Sequence, residues 1–164
     1  MYLGVDYYPE HWDINMIDED IKGIVGLGAN IVRIGEFAWH LMEKEEGKFD
    51  FTYFDNVIAK LKDKNIKIMF GTPTATFPAW LYKKHPSILS KDENLQVRAF
   101  GGRRQYCFNS DIYREYSEKM VTKLIEHYKG EDSIVVWQID NELGHEGSDM
   151  CYCEGCQKKF KEFL

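Results

Sequence analysis

Two groups of residues in this chain have types and spacing that could do chemistry. Asn141 and Glu142 stand side by side where an apolar run over residues 134–139 gives way to Asp140 and then to Leu143-Gly144. An amide can hold a sugar hydroxyl while the adjacent carboxyl donates or accepts a proton, and glycoside hydrolysis needs both tasks performed. The same pair also suits the start of a loop or a helix cap, so its place in the fold must decide. The second group is Cys151, Cys153 and Cys156, spaced C-x-C-x-x-C, with Cys107 alone upstream. Four thiolates about 2.3 Å from a zinc ion make a closed tetrahedral site with no position open to substrate or water. Cys107, in the loop before the third helix, completes such a set only if that loop folds back over the fourth strand. The alternatives are four free thiols, or a redox pair at Cys153 and Cys156.

Strand-like and helix-like segments alternate along the chain and must position these groups. Residues 3–8 read as a first strand. Ile14, Ile17, Ile21, Ile24 and Val25 then follow helical spacing, with Gly26, Gly28 and Asn30 as the stop. Residues 31–34 form a second strand, and the next helix carries Phe54, Val57, Ile58 and Leu61 on one face. A third strand over 66–70 leads into a long connection, 77–109, with a short helix around Trp80. Ser110 and Asp111 open a helix in which Tyr113, Tyr116, Met120, Leu124 and Ile125 face a core. The fourth strand, 134–139, is apolar and β-branched enough to be buried on both faces of a parallel sheet, and it delivers Asn141 and Glu142 to its C-terminal tip. A final helix holds Cys156, Phe160 and Phe163.

Four such β/α units imply an α/β fold with a parallel sheet and right-handed crossovers. Either an open four-stranded sheet or the first half of an eight-stranded barrel satisfies the pattern. The long loops after the strands, rich in Pro, Trp, Glu and Arg, favour half of a (β/α)8 TIM barrel, because a whole one needs about 250 residues and this chain has 164. The formal charge of -6 and pI near 5.4 argue against nucleic acid or an anionic membrane as partner. Met1 runs straight into the first strand with no basic or long apolar leader, so a cytoplasmic location is expected, with reduced thiols.

Several stretches match one family together and in order: residues 4–12 (Gly-Val-Asp-Tyr-Tyr-Pro-Glu-His-Trp), 33–39 (Arg-Ile-Gly-Glu-Phe-Ala-Trp), 72–81, 102–107 and 137–144. Over essentially its whole length the chain resembles the amino-terminal part of a glycoside hydrolase family 42 β-galactosidase. The resemblance implies a (β/α)8 barrel and a retaining double displacement on terminal β-D-galactosyl groups. It places the acid/base on Glu142, a sugar-binding asparagine on Asn141, a sugar-binding arginine on Arg103, and a structural Zn2+ on Cys107, Cys151, Cys153 and Cys156. It also implies a homotrimer for the complete protein, and a nucleophilic glutamate on a seventh strand, beyond residue 164.

Around this set, Glu10, His11 and Glu36 are expected to hold the rim of the loops, and one of Arg103 and Arg104 to face sugar while the other pairs with a scaffold carboxylate. Trp12, Trp39 and Trp80 are stacking faces or core, and the acidic runs at 18–20 and 43–46 are solvated surface. Two other functions remain open on the residues alone: a barrel glycosidase acting on other β-glycosides, and a zinc-bound structural module without catalysis.

Overall fold

The computed structural model describes residues 1–144 and 150–164. In chain order the elements are β1 (Gly4–Asp6), α1 (Ile17–Gly26), β2 (Ile31–Ile34), α2 (Trp39–Met42), β3 (Glu43–Glu45), β4 (Lys48–Phe49), α3 (Thr52–Asp63), β5 (Lys67–Gly71), α4 (Ala79–Lys84), α5 (Asp111–Tyr128), β6 (Ile134–Gln138) and α6 (Glu154–Phe163). β1, β2, β5 and β6 form one parallel sheet in that order, while β3 and β4 make a small antiparallel hairpin.

Strand alternation divides the sheet into two faces. Val32, Ile34, Ile68 and Phe70 point to the helices and are fully buried. They meet Ile17, Ile21 and Ile24 of α1, Phe54, Val57, Ile58 and Leu61 of α3, and Tyr113, Met120, Leu124 and Tyr128 of α5 in one core. Burying each such side chain contributes about 2 kcal/mol. Isolated helices of the length of α1, 10 residues, are marginal in water, so this packing holds them. The opposite face carries Asp6, Arg33 and Met69 in register across β1, β2 and β5 and opens onto a shallow pocket.

The element types follow the sequence expectation, with shifts at the ends. β1 is shorter than expected, although Tyr7 N–H still donates to the Arg33 carbonyl at 2.8 Å. β6 stops at Gln138, leaving Ile139 84% exposed. Ser110 caps α5, its side chain accepting from Tyr113 N–H. Val25 and Ile125 lie outside the buried stripes of α1 and α5, and Tyr116 is only half-buried, its hydroxyl donating to Glu46 at 2.6 Å. The hairpin was not expected, and it corrects the reading of residues 43–46 as solvated. Glu43 is 1% exposed and accepts from Trp39 Nε1 at 2.8 Å and from Gly47 N–H at 2.7 Å. Among the described residues no helix is long and apolar enough to cross a membrane.

Candidate functional site

The C-terminal tip of β6 is tied to the end of β5 and braced by hydrogen bonds of its own. Asp140 N–H donates to Thr72 Oγ1, just past β5, at 2.8 Å. Gln138 Nε2 donates to Asn141 Oδ1 at 3.1 Å, and Asn141 N–H donates to Asp140 Oδ1 at 2.6 Å. Asn141 is buried and Glu142 half-exposed, so one residue is fixed in the scaffold while the next reaches solvent. Asp140 and Glu142 adopt left-handed φ values of 57° and 47°. Non-glycine residues there cost on the order of 1–3 kcal/mol each and persist where the surroundings over-determine them.

Two arginines converge on the Glu142 carboxylate. Arg103 Nη1 lies 3.5 Å from Oε2 and Arg104 Nη2 lies 3.8 Å from it, while Asn141 Nδ2 donates to the same oxygen at 3.4 Å. The Arg103 guanidinium lies over the Phe37 ring, 4.4 Å from its centroid, and stays half-exposed. Arg104 is fully buried with φ at 51°, and its Nη1 donates to the Asn141 backbone carbonyl. Of the two arginines, Arg103 is half-exposed and Arg104 buried, and Arg104 reaches both the Asn141 carbonyl and, at 3.8 Å, the Glu142 carboxylate.

Glu36 is a buried charge beneath this rim. Tyr8 OH donates to its Oε1 at 2.7 Å, and Arg33 Nε lies 2.9 Å from the same atom. Arg33 Nη2 also pairs with Asp6 at 2.8 Å. Burial, reinforced by the hydrogen bond to Glu36, pushes the Tyr8 hydroxyl up to about 12. Space for Glu36 depends on Gly71, where a Cβ would come within 2.5 Å of the Glu36 Cβ. Glu10 differs: neither carboxylate oxygen has a hydrogen-bond partner among the described residues, and burial, reinforced by the Glu36 charge, pushes its carboxyl up to about 7. Trp39 is core, Trp12 is partly exposed, and Trp80 donates to the Glu43 carbonyl. Asp20 accepts from Tyr7 OH and Trp12 Nε1, so the run at 18–20 is not wholly solvated.

The four cysteines meet although Cys107 is remote in sequence. The long connection folds back through Cys107 N–H to the Ile88 carbonyl at 2.7 Å, and Tyr152 N–H docks on the Lys91 carbonyl at 2.9 Å. All four sulfurs lie within 4.8 Å of one another, with Cys107 3.3 Å from Cys156 and 3.7 Å from Cys153. Tetrahedral zinc–thiolate bonds would set sulfurs about 3.8 Å apart, so the set fits a single ion, and none of the four is in a disulfide. Lys91 N–H and Asn109 Nδ2 each donate to a sulfur at 3.4 Å, and Cys153 and Cys156 sit at the N-terminus of α6. Burial and the neighbouring Cys156 push the Cys107 thiol well up, a cost that a bound cation removes. The four clustered cysteines thus form a set of ligands that can hold one metal ion.

Sequence reasoning did not single out Thr72, Tyr106, Gln138 or Asp140. Register offered a signal for the first: Thr72 directly follows the β5 residue paired with Gln138, so it must lie beside the tip. For Tyr106 there was none, since its contact depends on the path of the long loop.

Comparison with known proteins completes the picture. A β-galactosidase of Thermus thermophilus is 45% identical over 162 residues, covering 99% of this chain and 25% of that protein. The β-galactosidase structure of the psychrophilic Marinomonas ef1 superposes with a TM-score of 0.94 at 41% identity, covering 100% of this chain and 25% of that one. Gan42B of G. stearothermophilus, a GH42 β-galactosidase solved as a catalytic glutamate-to-alanine mutant, superposes at 0.87 with 32% identity, covering 98% and 23%. The parallel sheet and its helices thus match the first part of the family 42 barrel, and the chain spans about a quarter of the length of these relatives. With residues 6–164 matching the glycoside hydrolase family 42 β-galactosidase model, the chain belongs to that family.

Proposed function

We propose that these residues supply the acid/base half of a retaining β-galactosidase that cleaves terminal β-D-galactosyl groups. One observation carries the reading: a buried asparagine and a half-exposed glutamate lie together at the C-terminal tip of a parallel strand, with two arginines converging on the carboxylate. Glu142 protonates the departing glycosidic oxygen and then deprotonates the incoming water. Asn141, its Oδ1 occupied by Gln138 and one amide N–H turned to Glu142, keeps its second amide N–H for a sugar hydroxyl beside the reacting carbon. Arg103, stacked on Phe37 and open to solvent, holds another hydroxyl. The nucleophile sits about 5–5.5 Å from Glu142, as retention requires, and comes from residues outside these 164, which also complete the barrel and its homotrimer. The ion held by Cys107, Cys151, Cys153 and Cys156 is Zn2+ in a structural role, and its thiolates suit a reducing cytoplasm.

Glu142→Gln in the full-length protein tests this. Loss of proton donation should lower the glycosylation step about 100-fold or more for galactosides with poor leaving groups, and much less for activated aryl galactosides, which depart without a proton. Equal losses for both substrate types would assign Glu142 another role.

A further inference from the structure

We infer that Asp140 is the positioning residue for the acid/base, and that it couples the cysteine-bearing loop to the tip of β6. This rests on the reading of Glu142 as acid/base. Asp140 has two carboxylate oxygens and uses each on a different part of the molecule. Oδ1 accepts the N–H of Asn141 at 2.6 Å, the peptide unit leading into Glu142. Oδ2 accepts Tyr106 OH at 3.3 Å. Tyr106 is 2% exposed, stacks on Tyr113 with ring centroids 3.8 Å apart, and is bonded directly to Cys107. Tyr113 in turn donates to the Thr74 carbonyl. The side chain of Asp140 thus spans from a ring wedged in the core beside the metal site to the backbone that aims Asn141 and Glu142.

The Asn141 N–H needs an acceptor, which a carboxylate or an amide oxygen supplies, while the Tyr106 hydroxyl donates to a carboxylate and can accept from an amide. The left-handed backbone at Asp140 narrows the choice further, since Asp, Asn and Gly are the residues that tolerate it. Without the carboxylate, the N–H of buried Asn141 has no acceptor, and the strained turn through Glu142 loses the contact that over-determines it. Asp140 touches no reacting atom in this scheme; it fixes where the proton donor stands.

Full-length protein carrying Asp140→Gly, Asp140→Asn or Tyr106→Phe, with Glu142→Gln as the control, tests the inference. Glycine accepts the backbone conformation and removes only the side chain, asparagine restores the acceptor for Asn141, and phenylalanine deletes one hydroxyl. The readout is kcat/KM across aryl β-galactosides of graded leaving-group pKa, alongside Tm and metal content. Misplacement on the ångström scale costs about 100-fold, so Asp140→Gly should lose about that for poor leaving groups and under about 5-fold for good ones. Asp140→Asn should recover most of the loss, and Tyr106→Phe should show the same leaving-group trend, about 10-fold in size, with metal content retained. If Asp140→Gly does not fold, Tyr106→Phe decides. Loss without leaving-group dependence, or no loss, while Glu142→Gln shows the dependence, overturns the role of Asp140. Absence of the dependence in Glu142→Gln itself overturns the acid/base reading and this inference with it.

Discussion

Glu142 and Glu10 both lie beyond the C-terminal ends of parallel strands, yet their surroundings suit them to different work. Glu142 is half-exposed and faced by two guanidinium groups, whereas Glu10 is enclosed with no hydrogen-bond partner among the described residues. Burial holds the Glu10 carboxyl at about 7, against an ordinary value of 4.5. Between those values the folded state binds more protons than the unfolded one, so stability falls as pH rises through that window and stays lowered above it. Glu10→Gln removes this term. The Tm advantage of that variant should grow from about pH 5 to about pH 8; parallel Tm curves would show that Glu10 is not held protonated. At this scale the sequence revealed the residue types at the site but not their partners. Asn141, Glu142, Arg103 and the cysteines stand in readable motifs, and Glu36 bonds a neighbouring loop through Tyr8 as expected, whereas its full burial and its pairing with Arg33 carried no sequence signal. Only tertiary packing, through Gly71, reveals that.

Elements with strong periodicity were legible, and those made by long-range closure were not. α1, α3 and α5 follow from apolar spacing, and β2, β5 and β6 from short apolar runs, with ends shifted by up to three residues, as where α1 starts at Ile17 and leaves Ile14 exposed in a preceding turn, because hydrogen bonds rather than composition set them. The β3–β4 hairpin escaped because its charged residues carry no strand pattern and its one buried carboxylate, Glu43, is explained only by Trp39 and Gly47. α6 buries no residue among those described here, and Phe160 and Phe163 remain exposed. It is attached through Cys153 and Cys156 at its N-terminus, the docking of Tyr152 against Lys91, and Lys159, which donates to the Asn109 carbonyl at 3.1 Å. Metal removal belongs to this scale, because thiolate ligation couples affinity to local folding. Protein purified without added metal should contain about one zinc per chain. Chelation should speed amide hydrogen exchange in α6 and in residues 101–107 together. Metal-free protein with unchanged exchange would contradict a structural metal.

As a whole molecule the chain presents a sheet with one packed face and one open face, and β1 and β6 each have a single strand neighbour among the described residues. Such edges and such a face favour association. Residues 1–164 expressed alone should self-associate and leave aryl β-galactosides intact, since retention needs a second carboxyl group. Full-length turnover by the isolated piece, abolished by Glu142→Gln, would place both carboxylates within these residues, with Glu36 and Glu10 the first to examine. The alternation of strands and helices made the parallel sheet legible, and chain length against the size of a barrel pointed to half of one; what covers the open face was not legible. The central claim, that Glu142 is the acid/base of a retaining β-galactosidase, is tested most directly by azide rescue of Glu142→Gly in the full-length protein. With an activated aryl β-galactoside the variant should form its galactosyl intermediate and then stall, for want of a base to activate water. Azide needs no base, so it should raise turnover about 10-fold or more and yield the β-configured galactosyl azide. No rescue, or the α-configured product, would contradict the assignment.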